Sequence, residues 1–207
     1  MTRYSIIVVI FLLLYSTTIL YIEYSTSQNF VRNFLTDIEG PVPFYAINTT
    51  LSYTLFIISS VLFLISTYLV KLNKEIENRS EIYFYISQFL IFLYLGIDDR
   101  FYFHERLNNL IGIPGDGIII FIGVIELIIL FTIGRITERN SPTKNSFYLF
   151  CLFAFFMIFI DLLVPENMLL RLSLEDLLKT WSAFFVARFA WLILSENIKI
   201  ISAYRKN

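Results

Sequence analysis

Six long apolar segments, each almost free of charge, constrain this chain more than any other feature of its sequence. Most of them approach the ~20 residues that an α-helix needs to cross ~30 Å of hydrocarbon. Because lipid offers no partners to backbone N–H and C=O groups, helices are the expected form, and the strand-length alternation of a barrel is absent. The third and sixth are short, but their helical patterns continue into the flanking sequence. The segments are residues 4–22, 51–70, 82–97, 117–134, 147–164 and 180–194.

The composition supports the same fold class. Charged residues make up 16% of the chain, against about 25% in soluble domains. The longest polar stretch, residues 23–50, is interrupted by aromatic residues and predicts a loop with an interfacial helix. The first apolar segment lacks a clear small-residue cleavage site, which favours a retained span over a signal peptide. The sequence therefore predicts an all-α, polytopic membrane bundle of about six helices, with residues 1–207 forming a single membrane domain.

Lys and Arg are divided unequally between the two sides of the predicted bundle. The N-terminus, the second and fourth loops and the C-terminus carry ten basic residues, and the other side carries five. Basic residues concentrate on the cytoplasmic side of membrane proteins, so both termini are expected in the cytoplasm. The formal net charge of −1 argues against a nucleic-acid partner and leaves the lipid bilayer as the expected partner.

Acidic residues show the opposite distribution and lie in or beside the predicted outer loops. This shared location indicates a polar site at the outer side. The alternative is structural, because outer loops of any membrane protein are polar and acids there face no penalty. The residues are Asp37, Glu39, Asp98, Asp99, Glu105, Asp116, Glu166, Glu175 and Asp176.

The most unusual segment closes the third predicted span and reads GIDDRFYFHER over residues 96–106. Asp98 and Glu105 are seven residues apart and share a face if the helix continues. The only histidine, His104, lies about 100° around the helix from Glu105. Carboxylates with an imidazole suit a divalent metal or a proton-transfer pair. The alternative is an interfacial helix end in which Asp98 and Asp99 pair with nearby arginines.

Two further acids lie within predicted spans. Glu126 is ~14 Å along its helix from the predicted outer end, which places it near the bilayer midplane. An acid there costs ~2.5–3.5 kcal/mol on insertion scales, so it should face the bundle interior and have a partner. A structural hydrogen bond between helices is the alternative to a functional role. Asp161 lies near the outer end of the fifth span, where a helix-end role is also compatible.

The segment leading into the last span carries several polar residues. Ser173 and Asp176 resemble a capping box at the start of the sixth helix, and Glu175 and Lys179 are an i,i+4 pair that predicts a surface salt bridge or a site edge. Arg188 lies within the last span at an estimated depth similar to that of Glu126. The sequence therefore predicts an interhelical ion pair between Glu126 and Arg188.

This order of motifs resembles a group of uncharacterised bacterial multi-pass membrane proteins. The resemblance runs from the third span onward, through the Asp-Asp…His-Glu motif of residues 98–105, Glu126, Asp161 and residues 175–179. It implies residence in a membrane, with a bacterial inner (plasma) membrane as the expected location, and a shared acidic site, but no reaction. A comparison with seven-span intramembrane zinc hydrolases of the alkaline ceramidase and progestin-receptor-like type fails, since those use three zinc-binding histidines.

The remaining cofactor signals are few. A carboxylate-rich site with one imidazole suits Mg²⁺, Mn²⁺, Ca²⁺ or Fe better than structural zinc. Haem held by two histidines is excluded, and no Gly-rich phosphate loop or nucleotide motif occurs. The single cysteine, Cys151, reads as a small packed hydrophobe. The sequence therefore leaves the cofactor open and is compatible with a divalent metal, for which Asp98, His104 and Glu105 are the candidate ligands.

Three functions remain open at this point. The first is an outward-facing acidic pocket that acts on a lipid or lipid-linked substrate, with or without a divalent metal. The second is an ion- or proton-coupled transporter or channel component, and the third is a structural or assembly subunit bound to other membrane subunits. In the first hypothesis, Glu175, Lys179 and Arg188 bind substrate, and the catalytic candidates are Asp98, Asp99, His104, Glu105, Glu126 and Asp161.

Overall fold

The computed structural model describes residues 3–35, 46–73, 79–101, 115–165 and 167–204. No strand occurs in these ranges, so the predicted all-α fold class is confirmed. A short 3-10 helix, Ile136–Glu138, lies shortly before the α-helix Ser141–Leu163. The α-helices are α1 (Arg3–Ser25), α2 (Gln28–Leu35), α3 (Ile47–Leu72), α4 (Arg79–Phe101), α5 (Gly115–Thr132), α6 (Ser141–Leu163) and α7 (Arg171–Tyr204).

Five of the described helices are long and apolar enough to cross a membrane, so the chain is a multi-pass membrane protein. The fourth predicted span corresponds to a shorter apolar helix, Gly117–Thr132. The third and sixth predicted spans extend beyond their apolar windows, because α4 has 23 residues and α7 has 34. The five are Ser5–Ser25, Ile47–Leu72, Arg79–Phe101, Ser141–Leu163 and Arg171–Ala203.

A short helix occurs within the polar stretch of residues 23–50, where the sequence predicted one. Ser27 begins α2, because its hydroxyl accepts the N–H of Phe30 at 3.2 Å and its carbonyl accepts the N–H of Val31 at 3.1 Å. At the other end, the Thr49 hydroxyl donates to the carbonyl of Leu35 at 2.8 Å. These contacts satisfy backbone groups that a helix end leaves without partners. The interfacial position of α2 stays a prediction.

The chain divides into two compact units, and the first comprises Met1–Ser52 and Tyr148–Phe185. Its apolar cluster joins Ile19 of α1, Val31 and Leu35 of α2, and Leu172 and Leu177 of α7. Burying these side chains against one another fixes the end of α1 and the start of α7 beside α2.

Aromatic stacking holds α6 against α7 in the same unit. The ring of Phe153 lies 5.6 Å from that of Trp181 and 5.5 Å from that of Phe185, measured between centroids. Such pairs contribute beyond the area they bury.

The second unit comprises Tyr53–Phe147 and Val186–Asn207, and its core is aromatic. Phe63 of α3 packs against Phe84, Tyr85 and Phe92 of α4 and Phe189 of α7, with ring centroids 5.8 to 6.3 Å apart. The prediction that residues 1–207 form a single membrane domain stays a prediction.

Gly96 lets α3 and α4 approach closely in this unit. A Cβ at this position would lie 3.0 Å from the Ile57 side chain and 3.3 Å from Phe56. Small residues at such crossings are typical of helix packing in membranes.

A polar network joins the helices near the start of α4 and the end of α7. Arg139 contacts Glu81 at 3.4 Å and Glu196 at 3.9 Å. The Thr143 hydroxyl donates to Glu196 at 2.6 Å, and the Asn140 amide also donates to this carboxylate. These contacts give the segment between α5 and α6 a structural role in holding the second unit together.

Candidate functional site

A buried carboxylate from α1 holds the start of α7 in the first unit. Glu23 is 0% exposed, and its Oε1 and Oε2 accept the N–H groups of Leu170 at 2.9 Å and Ser173 at 3.2 Å. Leu170 has a positive φ of 67°, which turns the chain into the helix. The Glu23 carboxylate therefore supplies the acceptors that the first turn of α7 needs, and its negative charge suits the positive end of the helix dipole.

Arg171, the first residue of α7, binds two of the predicted site residues. Its Nη2 donates to Asp161 Oδ1 at 2.9 Å and to the Asp161 carbonyl at 3.1 Å, and its Nε donates to the carbonyl of Val164 at 3.2 Å. Its Nη1 lies 2.9 Å from Glu175 Oε2. The Glu175 contact is a charge contact without hydrogen-bond geometry, since Oε2 is buried and has no hydrogen-bond donor. Asp161 and Glu175 are thus brought together by an arginine.

The next turn of α7 carries a second charged pair. Lys179 lies 2.9 Å from Asp176 Oδ1, and the buried Oδ2 of Asp176 has no hydrogen-bond partner. The amide of Asn48 in α3 donates to the Asp176 carbonyl at 2.8 Å and accepts the Thr180 hydroxyl at 2.8 Å. The hydroxyl of Tyr15 also reaches Asn48 Oδ1, at 3.4 Å. Helices α1, α3 and α7 therefore meet at this buried polar group.

Two local predictions for this segment are wrong. The capping box at Ser173 does not form, because α7 already begins at Arg171 and the Ser173 amide goes to Glu23, while its hydroxyl is buried without a partner. The salt bridge between Glu175 and Lys179, one of the two alternatives predicted for this pair, is the second, and the other alternative, a site edge, stays a prediction. The structure pairs Glu175 with Arg171 and Lys179 with Asp176, since each finds its counter-charge one helical turn toward the N-terminus.

Glu126 is buried in the second unit, and its partner is an amide. The side chain is 3% exposed, and Oε2 accepts the Nε2–H of Gln88 in α4 at 2.9 Å. The other oxygens of this pair, Glu126 Oε1 and Gln88 Oε1, are buried without hydrogen-bond partners. Two acceptor oxygens thus remain unsatisfied in an apolar helical environment.

The predicted ion pair between Glu126 and Arg188 is therefore wrong. Arg188 is half-buried on α7, and within the described part of the chain it makes no ion pair. Similar depth along two helices does not bring two side chains together, because the direction in which each side chain leaves its helix also matters. Gln88 of α4 lies at a depth where its side chain can reach Glu126, and that side chain points toward Glu126.

The predicted metal site lies only partly in the described chain. Asp98 is 3% exposed near the end of α4, and Asp99 beside it is half-buried. His104 and Glu105 lie outside the described residues. Over the described ranges, no group of three or more His, Cys, Asp or Glu side chains is placed to hold a metal ion. The ligand set Asp98, His104 and Glu105 stays a prediction.

Three residues that organise these sites were missed by the sequence reasoning. In the sequence, Glu23 marks only the start of a polar stretch, and Arg171 is one of the five basic residues on the predicted outer side. For Gln88 a usable signal exists, because an amide within the apolar window of residues 82–97 indicates a polar contact between helices. For Glu23, no local pattern predicts that its carboxylate oxygens accept backbone N–H groups at the start of a helix about 150 residues later.

A comparison with known families gives one match. A family model described as Domain of unknown function (DUF8692) matches residues 5–193. No curated protein matches the chain, and no solved structure matches it. The match agrees with the predicted resemblance to an uncharacterised family, while the bacterial origin and the motif of residues 98–105 stay predictions. Since the model covers most of the chain, the protein belongs to the family described as Domain of unknown function (DUF8692).

Proposed function

We propose that this membrane protein acts on a lipid or lipid-linked substrate at the end of the helices where α7 begins. The observation that carries the proposal is Arg171, which holds Asp161 and Glu175 at 2.9 Å each. Charged groups so close to an apolar span are costly to keep and usually face a polar cavity or a partner. If α7 crosses the bilayer, its start lies near the lipid headgroups, so a substrate from the bilayer would reach these groups without entering water.

The charged residues around Arg171 are suited to bind and react with a polar substrate. Asp161, Glu175 and Asp176 contribute three negative charges against the two positive charges of Arg171 and Lys179, a formal sum of −1. The buried Oδ2 of Asp176 has no hydrogen-bond partner. A carboxylate oxygen without a donor is what a general base needs to accept a proton from a substrate or from water.

A lipidomic comparison tests the proposal. Cells producing the wild-type chain should differ in at least one lipid class from cells producing Asp161→Asn or Glu175→Gln, because each change removes one acidic group. Glu138→Gln is the matched control, since Glu138 forms an exposed pair with Arg135 in the second unit. Equal lipid profiles for wild type and both site variants, at equal amounts of folded protein, would refute the proposal.

The proposal includes a divalent metal held by Asp98, His104 and Glu105. Carboxylate and imidazole ligands support Mg²⁺, Mn²⁺, Ca²⁺ or Fe. Metal analysis of purified protein should find a stoichiometric ion that is lost in Asp98→Ala and in His104→Ala. A metal-free wild-type protein would remove the metal from the proposal and leave the carboxylates alone.

The proposed orientation places both termini in the cytoplasm of a bacterial cell, because the basic residues favour that side. Cysteines introduced as Ser27→Cys and Ser202→Cys, in a Cys151→Ser background, report the two sides by labelling with an impermeant reagent. Ser27→Cys should be labelled in intact cells and Ser202→Cys only after lysis. The reverse pattern would invert the topology.

Proton- or ion-coupled transport is a second candidate, and the Gln88–Glu126 pair favours it. A buried acid on a membrane helix with an unsatisfied oxygen is typical of proton and ion pathways. Proteoliposomes should then show a proton or cation flux that Glu126→Gln abolishes and Glu138→Gln leaves unchanged. If neither flux nor lipid turnover depends on these acids, the third function, a structural or assembly subunit, is the one supported.

A further inference from the structure

A polar cleft opens beside the start of α7 in the first unit. It has a volume of about 340 Å³ and is lined by Gln28, Asn29, Arg32, Asn167, Arg171 and Leu172. The first three belong to α2, and the last two belong to the first turn of α7. The cleft is therefore formed where the short helix α2 lies beside the N-terminus of the longest helix.

The lining is cationic and rich in hydrogen-bond donors. Two guanidinium groups and three side-chain amides line the cleft, and no carboxylate belongs to the described lining. Arg32 is exposed and, within the described ranges, makes no ion pair. An arginine without a counter-charge, facing a cleft rich in amide donors, is an attractive position for an anionic group.

Arg171 is the second cation of the cleft, and it is held in place before any ligand arrives. Its Nε and Nη2 donate to Val164 and Asp161, and its Nη1 makes only a charge contact with Glu175. Nη1 carries two N–H groups, so it can contact a ligand while it stays beside Glu175. A guanidinium fixed in this way binds a phosphate with little loss of side-chain entropy.

The first turn of α7 adds a backbone donor. The amides of Leu170 and Ser173 go to Glu23, and those of Arg171 and Leu174 go to carbonyls of the preceding turn. In the described contacts the amide of Leu172, a lining residue, has no acceptor. Because Glu23 already offsets the helix dipole, the guanidinium groups supply the attraction and the amides supply geometry.

We propose that this cleft binds a phosphate group, as a phosphodiester of a lipid headgroup or as free phosphate. The inference rests on the proposed function and names the chemical class of its substrate. Arg32 and Arg171 bind the phosphate oxygens, and Gln28, Asn29 and Asn167 contact the ester oxygens or hydroxyl groups of the headgroup. Asp161 and Glu175 both contact Arg171, so they would lie close to the bound phosphate, with the Arg171 guanidinium between them and the phosphate.

Binding to purified protein in nanodiscs tests the cleft with Arg32→Gln as the variant. Arg32 is exposed on α2, so its replacement leaves the packing of Val31 and Leu35 intact. Short-chain phosphatidylglycerol is the phosphodiester probe, and diacylglycerol is the matched probe without phosphate. Arg135→Gln, an exposed arginine of the second unit, is the control variant.

Wild type should bind phosphatidylglycerol more tightly than diacylglycerol, and Arg32→Gln should weaken only phosphatidylglycerol binding, by about tenfold. Competition by inorganic phosphate would support free phosphate as a ligand, and Arg32-dependent binding without competition would support the lipid diester. Equal affinities of Arg32→Gln and wild type, or equal binding of the two lipids, would overturn the inference. A lipid profile that still depends on Asp161 would then leave the proposed function standing, so the two failures are distinguishable.

Discussion

Replacing Glu23 should destabilise the first unit more than any surface substitution, because its carboxylate is buried and accepts two backbone N–H groups. Each hydrogen bond to a charged group contributes ~1.5–3 kcal/mol. Two bonds to one carboxylate do not add fully, so Glu23→Ala should lower the free energy of unfolding by about 3 kcal/mol. That is a change of ~100-fold in the unfolding equilibrium. Glu23→Gln keeps one acceptor oxygen, so we expect about half of this loss.

Fluorescence of Trp181 provides the assay. The indole N–H of Trp181 donates to the hydroxyl of Ser16 at 3.0 Å, so its emission reports whether α1 and α7 remain together. The chain has two tryptophans, and Trp191→Phe removes the other one, which is exposed. Unfolding is measured in mixed micelles by titration with a denaturing detergent.

Glu138→Gln is the matched control for this experiment. Glu138 and Arg135 are exposed and 3.6 Å apart, and such surface pairs contribute ~0–1 kcal/mol. The reasoning fails if Glu23→Ala shifts the transition no further than Glu138→Gln does. It also fails if Glu23→Gln unfolds like wild type, because one amide would then have lost its acceptor at no cost.

Substitutions in the second unit give further expected changes in the free energy of unfolding. In a double-mutant cycle, Glu126→Ala and Gln88→Ala should show a coupling free energy of ~0.5–3 kcal/mol, because the two side chains are in contact. The effects of Glu126→Ala and Arg188→Ala should add within ~0.5 kcal/mol. Coupling to Arg188→Ala together with additivity to Gln88→Ala would instead support the ion pair. Gly134→Ala should destabilise the chain, because a Cβ there would lie 2.6 Å from a phenylalanine ring and 2.9 Å from a backbone carbonyl. Gly123→Ala meets nothing within 4 Å, so a gain of up to ~1 kcal/mol is expected, and equal effects at the two glycines would contradict the packing.

Hydropathy along the chain located every described long helix, because crossing lipid requires only length and apolar composition. The predicted ends of these helices were less accurate, because α4 and α7 continue through polar residues whose hydrogen-bonding groups find partners elsewhere in the structure. The predicted window of residues 180–194 thus corresponds to a helix that begins at Arg171. The local sequence cannot show that Glu23, from a different span, accepts the backbone N–H groups at this helix start.

The pairing of side chains between helices was harder to predict for a physical reason. A helix in lipid is apolar on nearly all sides, so no amphipathic stripe reveals which face is buried. Depth could be estimated for Glu126 and Arg188, but the rotation of each helix about its axis could not. Local spacing likewise paired Glu175 with Lys179, while Arg171 was close enough to take Glu175 instead.

The cap on α7 also has a consequence for the biosynthesis of this protein. Glu23 and its two amide partners are separated by 147 and 150 positions in the chain. At synthesis rates of ~5–20 residues per second, the ribosome needs roughly 7–30 s to make the intervening chain. Throughout that interval the first helix is already made while its carboxylate has none of its final partners. The first unit can therefore be completed only once the start of α7 has been made, and until then the nascent α1 depends on the insertion machinery or on water at the membrane surface.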